Sequence, residues 1–180
     1  ASAAVHAHPQ WLVRDHIAGQ LGKRGGDTAR DALLARFAAD DDPRVRRACA
    51  DALGAFKESV VADALIAEIG QADFGTPHLR GAALRSLGRT QDPRAVAILT
   101  PHLDVESWGD LIAGGAAKGL AATDNADVLD TLIARTQPGH RPRVRAGAAA
   151  ALATLGDRVA ATRTAVVDRL IEMLREPGFR

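Results

Sequence analysis

Six histidines and one cysteine are the side chains of this sequence best suited to metal binding or nucleophilic chemistry. His6, His8 and His16 lie near the N-terminus, and imidazole nitrogens at this spacing could contribute to a loose metal site. Ordinary surface histidines are the favoured interpretation. The other three have no Cys or acidic partner at ligand spacing and are predicted to be solvated loop residues: His78, His102 and His140. The sequence therefore predicts no metal, no other cofactor and no catalytic residue in this chain.

The single cysteine, Cys49, could act as a nucleophile if its thiol were accessible and readily ionised. At the same position of four similar segments the sequence has small or apolar residues: Ile17, Ala83, Ala116 and Ala148. This pattern predicts a buried and unreactive thiol. A single cysteine also excludes an internal disulfide framework.

Two charged turns have simple structural interpretations. The turn at 22–27 (GKRGGD) lacks the spacing of a phosphate-binding loop and is predicted to be a flexible connector. The acidic turn at 40–42 (DDD) is predicted to cap the helix that follows it at Pro43.

These residues lie in a segment that occurs five times. Each copy opens on an apolar residue, the anchor, and the anchors are spaced by 32, 34, 33 and 32 residues: Val13, Val45, Leu79, Ile112 and Val144. A leucine follows each anchor by eight positions: Leu21, Leu53, Leu87, Leu120 and Leu152. Positions 0, 4 and 8 share one face of an α-helix, so each copy predicts a helix with an apolar stripe. The next residue is small, and in three copies it is a glycine predicted to end the helix: Gly22, Gly54 and Gly88.

A second apolar segment follows each copy, around Leu34, Ile66, Leu99, Leu132 and, after an insertion, Leu174. Two helices per repeat, in series and without a strand pattern, predict an all-α solenoid in which neighbouring repeats bury each other's apolar faces. Glycines inside the first helices, which weaken an isolated helix, indicate that adjacent backbones approach closely. The predicted repeats are 9–40, 41–74, 75–106, 107–139 and 140–176, with a disordered or tag-like segment at 1–8 and the start of a sixth repeat at 177–180.

The ends of the sequence suggest a piece of a longer protein. An initiator Met is absent, and the final EPGFR is similar to the DPRVR of the second copy. We expect the chain to continue into a sixth repeat, with a short terminal stub as the alternative.

Composition excludes several classes of protein. Hydrophobic residues make up 47% of the chain, which is too many for a disordered protein. The net charge of +1 gives no overall attraction to nucleic acid. The sequence has neither an apolar run long enough to span a membrane nor a recognisable signal peptide. We expect a bacterial cytoplasmic protein that binds neither nucleic acid nor membranes.

The segment DDPRVRRACADALG (41–54) resembles HEAT-like repeats, in which an Asp-Pro turn leads into Val-Arg, small residues and Ala-Leu-Gly. The resemblance covers residues 9–180 and implies a right-handed α-solenoid of about five HEAT-like two-helix repeats. More narrowly, WLVRDHIAGQL, SWGDLIAGGAAKGLAAT and GHRPRVRAGAAAALATLG resemble the C-terminal helical region of bacterial zinc aminopeptidases of the aminopeptidase-N type. That family implies a zinc-dependent catalytic domain elsewhere in a parent chain. No His-Glu pair occurs here, so none of its catalytic or zinc-binding residues can be assigned.

An arginine follows the anchor in four of the five copies: Arg14, Arg46, Arg80 and Arg145. Ala113 breaks the series. These arginines could bind phosphates or an acidic partner, or they could pair with acidic or carbonyl groups of neighbouring turns, such as Asp42. The second interpretation is favoured because the series is in phase with the repeat.

Two groups of residues are candidates for binding a partner. Trp11 and Trp108 could anchor a protein or pack over inter-repeat turns. The second helices usually line the concave side of HEAT-like solenoids, which here would present charges of both signs: Arg30, Arg36, Asp63, Glu68, Asp130, Arg135 and Arg169. Mixed signs favour a protein or peptide over a polyanion.

The sequence thus predicts a non-catalytic scaffold. The resemblance makes it the C-terminal domain of an aminopeptidase-N type enzyme, which would pack on the catalytic domain of the same chain and shape substrate access. An independent adaptor for a separate protein or peptide is the main alternative. A HEAT-like chromophore lyase is less favoured, because it requires a cluster of polar residues that the repeats do not supply.

Overall fold

The computed structural model describes the backbone of residues 2–71 and 76–176 and the side chains of 10–71 and 76–176. These residues form ten α-helices and no strand. The helices are α1 (Ser2–Arg24), α2 (Asp27–Ala39), α3 (Pro43–Leu53), α4 (Ser59–Ile69), α5 (Pro77–Thr90), α6 (Ala95–Leu99), α7 (Leu111–Ala122), α8 (Leu129–Arg135), α9 (Pro142–Arg158) and α10 (Arg163–Arg175). Short 3₁₀ turns extend α6 at its end and precede α7, α8 and α10.

The helices stack as five pairs. The first helices α1, α3, α5, α7 and α9 contact one another in series, and each of α2, α4, α6 and α8 packs against the first helix of the next pair. This arrangement confirms the predicted α-solenoid of two-helix repeats. Residues 2–8, predicted to be disordered or tag-like, are helical in the structure as the beginning of α1. The predicted start of a sixth repeat, at 177–180, lies outside the described residues.

The predicted apolar stripes form the core. Leu53, Leu87, Leu120 and Leu152 are completely buried, and the anchors Val45, Leu79 and Ile112 are buried as well. The first repeat differs, because Val13 and Ile17 are 58% and 50% exposed. Their counterparts in the second to fourth repeats are buried, and in the fifth Ala148 is buried while Val144 is half-buried. The stripe is therefore covered where a preceding repeat packs against it.

Proline and aspartate define where the helices start. Pro43, Pro77 and Pro142 occupy the first turns of α3, α5 and α9. A backbone N–H has no partner within the helix at that position, so its absence in proline costs no hydrogen bond. Asp42 caps α3, because its Oδ1 accepts from the Arg44 backbone N–H at 2.9 Å. Both predictions are confirmed.

Of the three closing glycines, Gly54 ends its helix as predicted, directly after α3, whereas the other two do not, which corrects the sequence interpretation for them. Gly22 and Gly88 lie inside α1 and α5, and Gly54 has right-handed dihedrals. They are instead points of close contact: a Cβ on Gly88 would lie 1.9 Å from the carbonyl oxygen of Gly119 in α7. The left-handed residues come later, with φ of 60° at Gln91 and 57° at Asp124.

The turns within successive repeats are joined by a row of polar side chains that we call the turn ladder: Lys57, Gln91, Asp124 and Arg158. The Lys57 ammonium donates to the Gln91 side-chain oxygen, and the Gln91 amide donates to Asp124. Arg158 closes the row by donating to Asp124, with one contact of 2.8 Å. The ladder fixes the spacing of the turns from the second to the fifth repeat.

Candidate protein-binding surface

The four arginines that follow the anchors are here called the junction arginines, and three of them bind the repeat before their own. Arg46 donates from Nε to the carbonyl oxygen of Phe37 at 2.9 Å, at the end of the preceding α2. Arg80 and Arg145 make the same type of bond to the carbonyl oxygens of Ile69, at 3.2 Å, and Thr136, at 2.7 Å. These cations satisfy the terminal carbonyls of the second helices.

Arg14, Arg46 and Arg145 also reach the second helix of their own repeat or the residue that follows it. Arg14 makes two hydrogen bonds to Asp40, at 2.9 and 3.0 Å, while Arg46 pairs with Glu68 and Arg145 with Glu176. The predicted structural role is therefore confirmed. Asp42, the partner suggested from the sequence, instead binds Arg44.

Most of the charged side chains predicted on the second helices are engaged within the chain. Arg30 pairs with Asp27, Asp31 and Glu58, and Asp63 pairs with Arg94 at 2.7 Å.

The pairing extends to the remaining members of the set. Arg135 pairs with Asp104 at 2.8 Å, and the buried Arg169 donates to the hydroxyl oxygen of Thr136 at 2.7 Å. Glu68 is buried against Arg46, as described above. Arg36 and Asp130 remain exposed, although Arg36 lies 3.9 Å from Asp40. That these seven residues bind a partner stays a prediction.

The two tryptophans have different environments. Trp11 is half-buried, and the guanidinium carbon of Arg44 lies 3.8 Å from its ring centroid, a distance typical of a cation–π contact. Trp108 is 75% exposed, and its ring centroid lies 5.8 Å from that of His78. Trp108 is thus the tryptophan available to a partner.

Among the side chains that the structure describes, the candidate residues for enzyme chemistry are not assembled into a site. Cys49 is buried, and burial raises the pKa of its thiol to about 12. Within residues 10–71 and 76–176 no three His, Cys, Asp or Glu side chains are placed to hold a metal ion. His6 and His8 have no described side chains. His16 lies 3.3 Å from Gln20 and His102 lies 2.8 Å from the carbonyl oxygen of Ile98.

A groove with a volume of about 350 Å³ runs across the first helices α3, α5, α7 and α9. We call it the basic groove. Glycines on α5, α7 and α9 form part of its lining: Gly81, Gly114, Gly115 and Gly147. A Cβ on Gly114 would meet no atom within 4 Å, so the backbone of a ligand could approach the helix closely there.

Four cations line the basic groove, namely Arg47, Arg85, Lys118 and Arg143, against two carboxylates, Asp51 and Asp110. Both carboxylates are already engaged, since Asp51 pairs with Arg85 and Asp110 pairs with Arg141 at 2.6 Å. Among the residues with described side chains, Arg47, Lys118 and Arg143 have no ion-pair partner. Unneutralised positive charge therefore collects beside the exposed Trp108.

The basic groove was not identified from the sequence. Arg85 and Lys118 occupy the same position of neighbouring repeats, six residues after the anchor, but the other copies have Gly19, Asp51 and Ala150 there, so the position did not stand out as basic. Arg47 and Arg143 occupy two further positions. Small residues at matching positions of neighbouring first helices, such as Gly81 and Gly114, were the available signal. They indicated close packing, whereas Gly114 faces open space.

In the described part of the chain no helix is both long and apolar enough to cross a bilayer. Two family models match the sequence. The model described as HEAT repeats matches residues 2–74, and the model described as PBS lyase HEAT-like repeat matches residues 79–104 and 144–176. A search of curated proteins finds no match.

Proposed function

We propose that this solenoid, whose repeats match HEAT family models, is a non-catalytic scaffold that binds an acidic segment of another protein in the basic groove. One observation carries the proposal: Arg47, Lys118 and Arg143 face a common groove without an ion-pair partner among the described side chains, while most of the charged residues on the second helices are paired within the chain. Carboxylates of a bound segment would supply the missing partners.

The shape of the groove supports an extended peptide. It crosses four successive first helices, and Gly114 leaves room for a backbone to lie against α7. Trp108 at the same surface offers a large and rigid contact for an apolar side chain. An acidic segment with interspersed apolar residues therefore fits better than a compact ligand.

Of the two narrower alternatives, the aminopeptidase gains no support and the lyase gains only a weak suggestion. Neither matching model is described as an aminopeptidase, so the proposal does not include an aminopeptidase-N parent. The second model carries the words PBS lyase, which is the one suggestion of a chromophore lyase, and the proposal does not include that activity. With added zinc the purified chain is expected to show no aminopeptidase turnover, and reproducible turnover would contradict the non-catalytic assignment.

The test is a binding titration with a fluorescein-labelled peptide in which Glu and Asp alternate with Leu. Fluorescence anisotropy should show saturable binding that weakens as the salt concentration rises. The double variant Lys118→Glu, Arg143→Glu should weaken binding by roughly tenfold or more per residue, because each change removes a charge-assisted contact and adds repulsion.

A matched control changes net charge by the same amount outside the groove. Arg24 and Arg175 are exposed and do not line the groove, so Arg24→Glu, Arg175→Glu should leave the affinity unchanged. Equal losses of peptide affinity in both double variants would show that binding depends on the net charge of the protein and not on the groove. Tight binding of duplex DNA with a steep salt dependence would overturn the choice of a protein partner.

A further inference from the structure

The residue two positions after the anchor changes along the basic groove. In α5 and α7 it is a glycine, Gly81 and Gly114, and both glycines line the groove. In α3, the first of the four helices that the groove crosses, the same position holds Arg47. Equivalent positions of stacked repeats follow one another in a row, so a path over Gly114 and Gly81 leads to the side chain of Arg47.

Arg47 lies between the basic groove and a second cavity that the first helices also line. The second cavity has a volume of about 540 Å³ and is formed by α1, α3 and α5. Arg47 and Asp51 are the residues that line both cavities. An extended chain that follows the glycines of the basic groove therefore meets a guanidinium group where the groove ends.

The positive charge of Arg47 is not neutralised by the carboxylates around it. Among the described side chains Arg47 has no ion-pair partner, although Asp15 and Asp51 line the second cavity with it. Asp51 pairs instead with Arg85. A guanidinium group binds a carboxylate through two parallel hydrogen bonds, so the half-buried Arg47 can hold a carboxylate that arrives along the groove.

The other two unpaired cations flank the path. Lys118 lies one helical turn after Gly114 in α7. Arg143 reaches the other side of Gly114 from α9, with a guanidinium nitrogen 3.3 Å from the place that a Cβ of Gly109 would take. Successive side chains of an extended chain point to opposite sides, so acidic side chains on both sides of a bound segment find a cation.

A carboxylate at the end of a chain fits the position of Arg47 better than an internal acidic residue. A segment that continued past α3 would have to cross the Arg47 side chain, whereas α5 and α7 have glycine at that position. A chain that ends there needs no such crossing and brings its terminal carboxylate to the guanidinium group. The reverse direction would place an N-terminal ammonium group beside Arg47, and the two cations would repel each other.

We propose that the basic groove binds the C-terminus of a partner protein, with the terminal carboxylate held by Arg47 and the acidic side chains before it held by Lys118 and Arg143. This inference rests on the proposed function and adds to it a chain end and a direction. Neighbouring helices lie about 8–10 Å apart, so the distance from α3 to α9 is about 24–30 Å. At about 3.3 Å per residue, about seven to nine extended residues span that distance.

Anisotropy titrations of the full chain with matched peptides test the proposal. The first peptide has about eight residues, alternates Glu with Leu, carries fluorescein at its N-terminus and ends in a free carboxylate. The second ends in an amide and has one additional Glu at its N-terminal end, so that the two net charges are equal. The free acid should bind the wild-type protein about tenfold more tightly than the amide, because only the free acid brings a carboxylate to Arg47.

Two variants assign the preference to a residue. Arg47→Gln should lower the affinity for the free acid about tenfold, to that for the amide, and should change the affinity for the amide little. Arg143→Gln removes another unpaired cation from the same groove and is the matched control, so it should weaken the binding of both peptides by the same factor. Neither arginine has an ion-pair partner among the described side chains, so circular dichroism should show unchanged folding in both variants.

The outcomes separate this inference from the proposed function. Equal affinities of the wild-type protein for the two peptides would overturn the binding of a chain end and leave the binding of an acidic segment in place. A preference for the free acid that persists in Arg47→Gln would overturn the role of Arg47. If neither peptide binds the wild-type protein, the proposed function fails, and this inference fails with it.

Discussion

At the scale of single residues, the arginines fall into two groups that differ in what their guanidinium groups contact. Junction arginines such as Arg46 and Arg145 bind helix-end carbonyls and a carboxylate of their own repeat. Arg47 and Arg143 line a groove and have no ion-pair partner among the described side chains. Arg46 and Arg47 are adjacent in the sequence, so residue type and local context do not separate the two roles. The distinction arises from which face of the helix each occupies.

Asp42 gives a pH-dependent contribution to stability. Hydrogen bonds from the Arg44 guanidinium lower the pKa of this carboxyl from 3.8 to about 2. A lowered folded-state pKa stabilises the protein above the unfolded value, and this stabilisation is lost as the pH falls from about 4 towards 2. Asp42→Ala should therefore cost about 0.5–2 kcal/mol at neutral pH, through loss of the helix cap, and less at about pH 3.

Urea unfolding of wild type and variant at both pH values measures this difference. Asp41→Ala changes the exposed neighbouring carboxylate and should leave stability nearly unchanged at both. A cost at Asp42 that does not shrink on acidification would show that its charge plays no part.

Cys49 should be inert in the folded protein. Its pKa of about 12 leaves almost no thiolate at neutral pH, and burial blocks access by reagents. A chromogenic thiol reagent should label the folded chain slowly, and the labelling rate should rise with urea in step with unfolding. Immediate stoichiometric labelling in buffer would contradict the buried position.

At the scale of helices, replacing glycine by alanine should have opposite effects on stability at Gly88 in α5 and at Gly114 in α7. A Cβ at Gly88 would lie 1.9 Å from the Gly119 carbonyl oxygen, so Gly88→Ala must separate α5 from α7 and should cost about 1–3 kcal/mol or more. Gly114, inside α7, has open space around it, so Gly114→Ala should stabilise the protein by up to about 1 kcal/mol through helix propensity. Thermal unfolding of both variants measures the contrast. Destabilisation of similar size in both would show that the helix spacing is not set by Gly88.

The sequence was sufficient to predict the helices and their register, because burial of an apolar stripe restricts residue types at fixed spacing. Leu53 and Leu87 recur for that reason. The turn ladder was not predicted, since Lys57, Gln91 and Asp124 share a position but not a residue type. Any polar side chain of suitable length can make these contacts, so no recurring residue type marks the ladder in the sequence. The basic groove was missed for a related reason: only Arg85 and Lys118 share a repeat position, and the second repeat has the acidic Asp51 there.

At the scale of the whole molecule, stability should be distributed along the stack rather than concentrated in one globular core. Each repeat contacts the repeats on either side, and α5 and α7 have neighbours in both directions. The helices at the ends have a neighbour on one side and carry the exposed apolar residues Val13 and Leu174. Amide exchange should therefore be slowest in α5 and α7 and fastest in α1 and α10.

A cavity in the middle of the stack should affect the array in both directions. Leu87 is completely buried in α5, so Leu87→Ala should cost about 2–5 kcal/mol in unfolding free energy. Because the interfaces on both sides of α5 depend on it, exchange protection should fall in α3 and α7 as well as in α5. Leu174→Ala removes an equally large side chain that is exposed in the single chain, so its unfolding midpoint at low protein concentration should hardly change. Hydrogen exchange followed by mass spectrometry tests both variants, and a loss of protection confined to α5 would show that the repeats are stabilised independently of their neighbours.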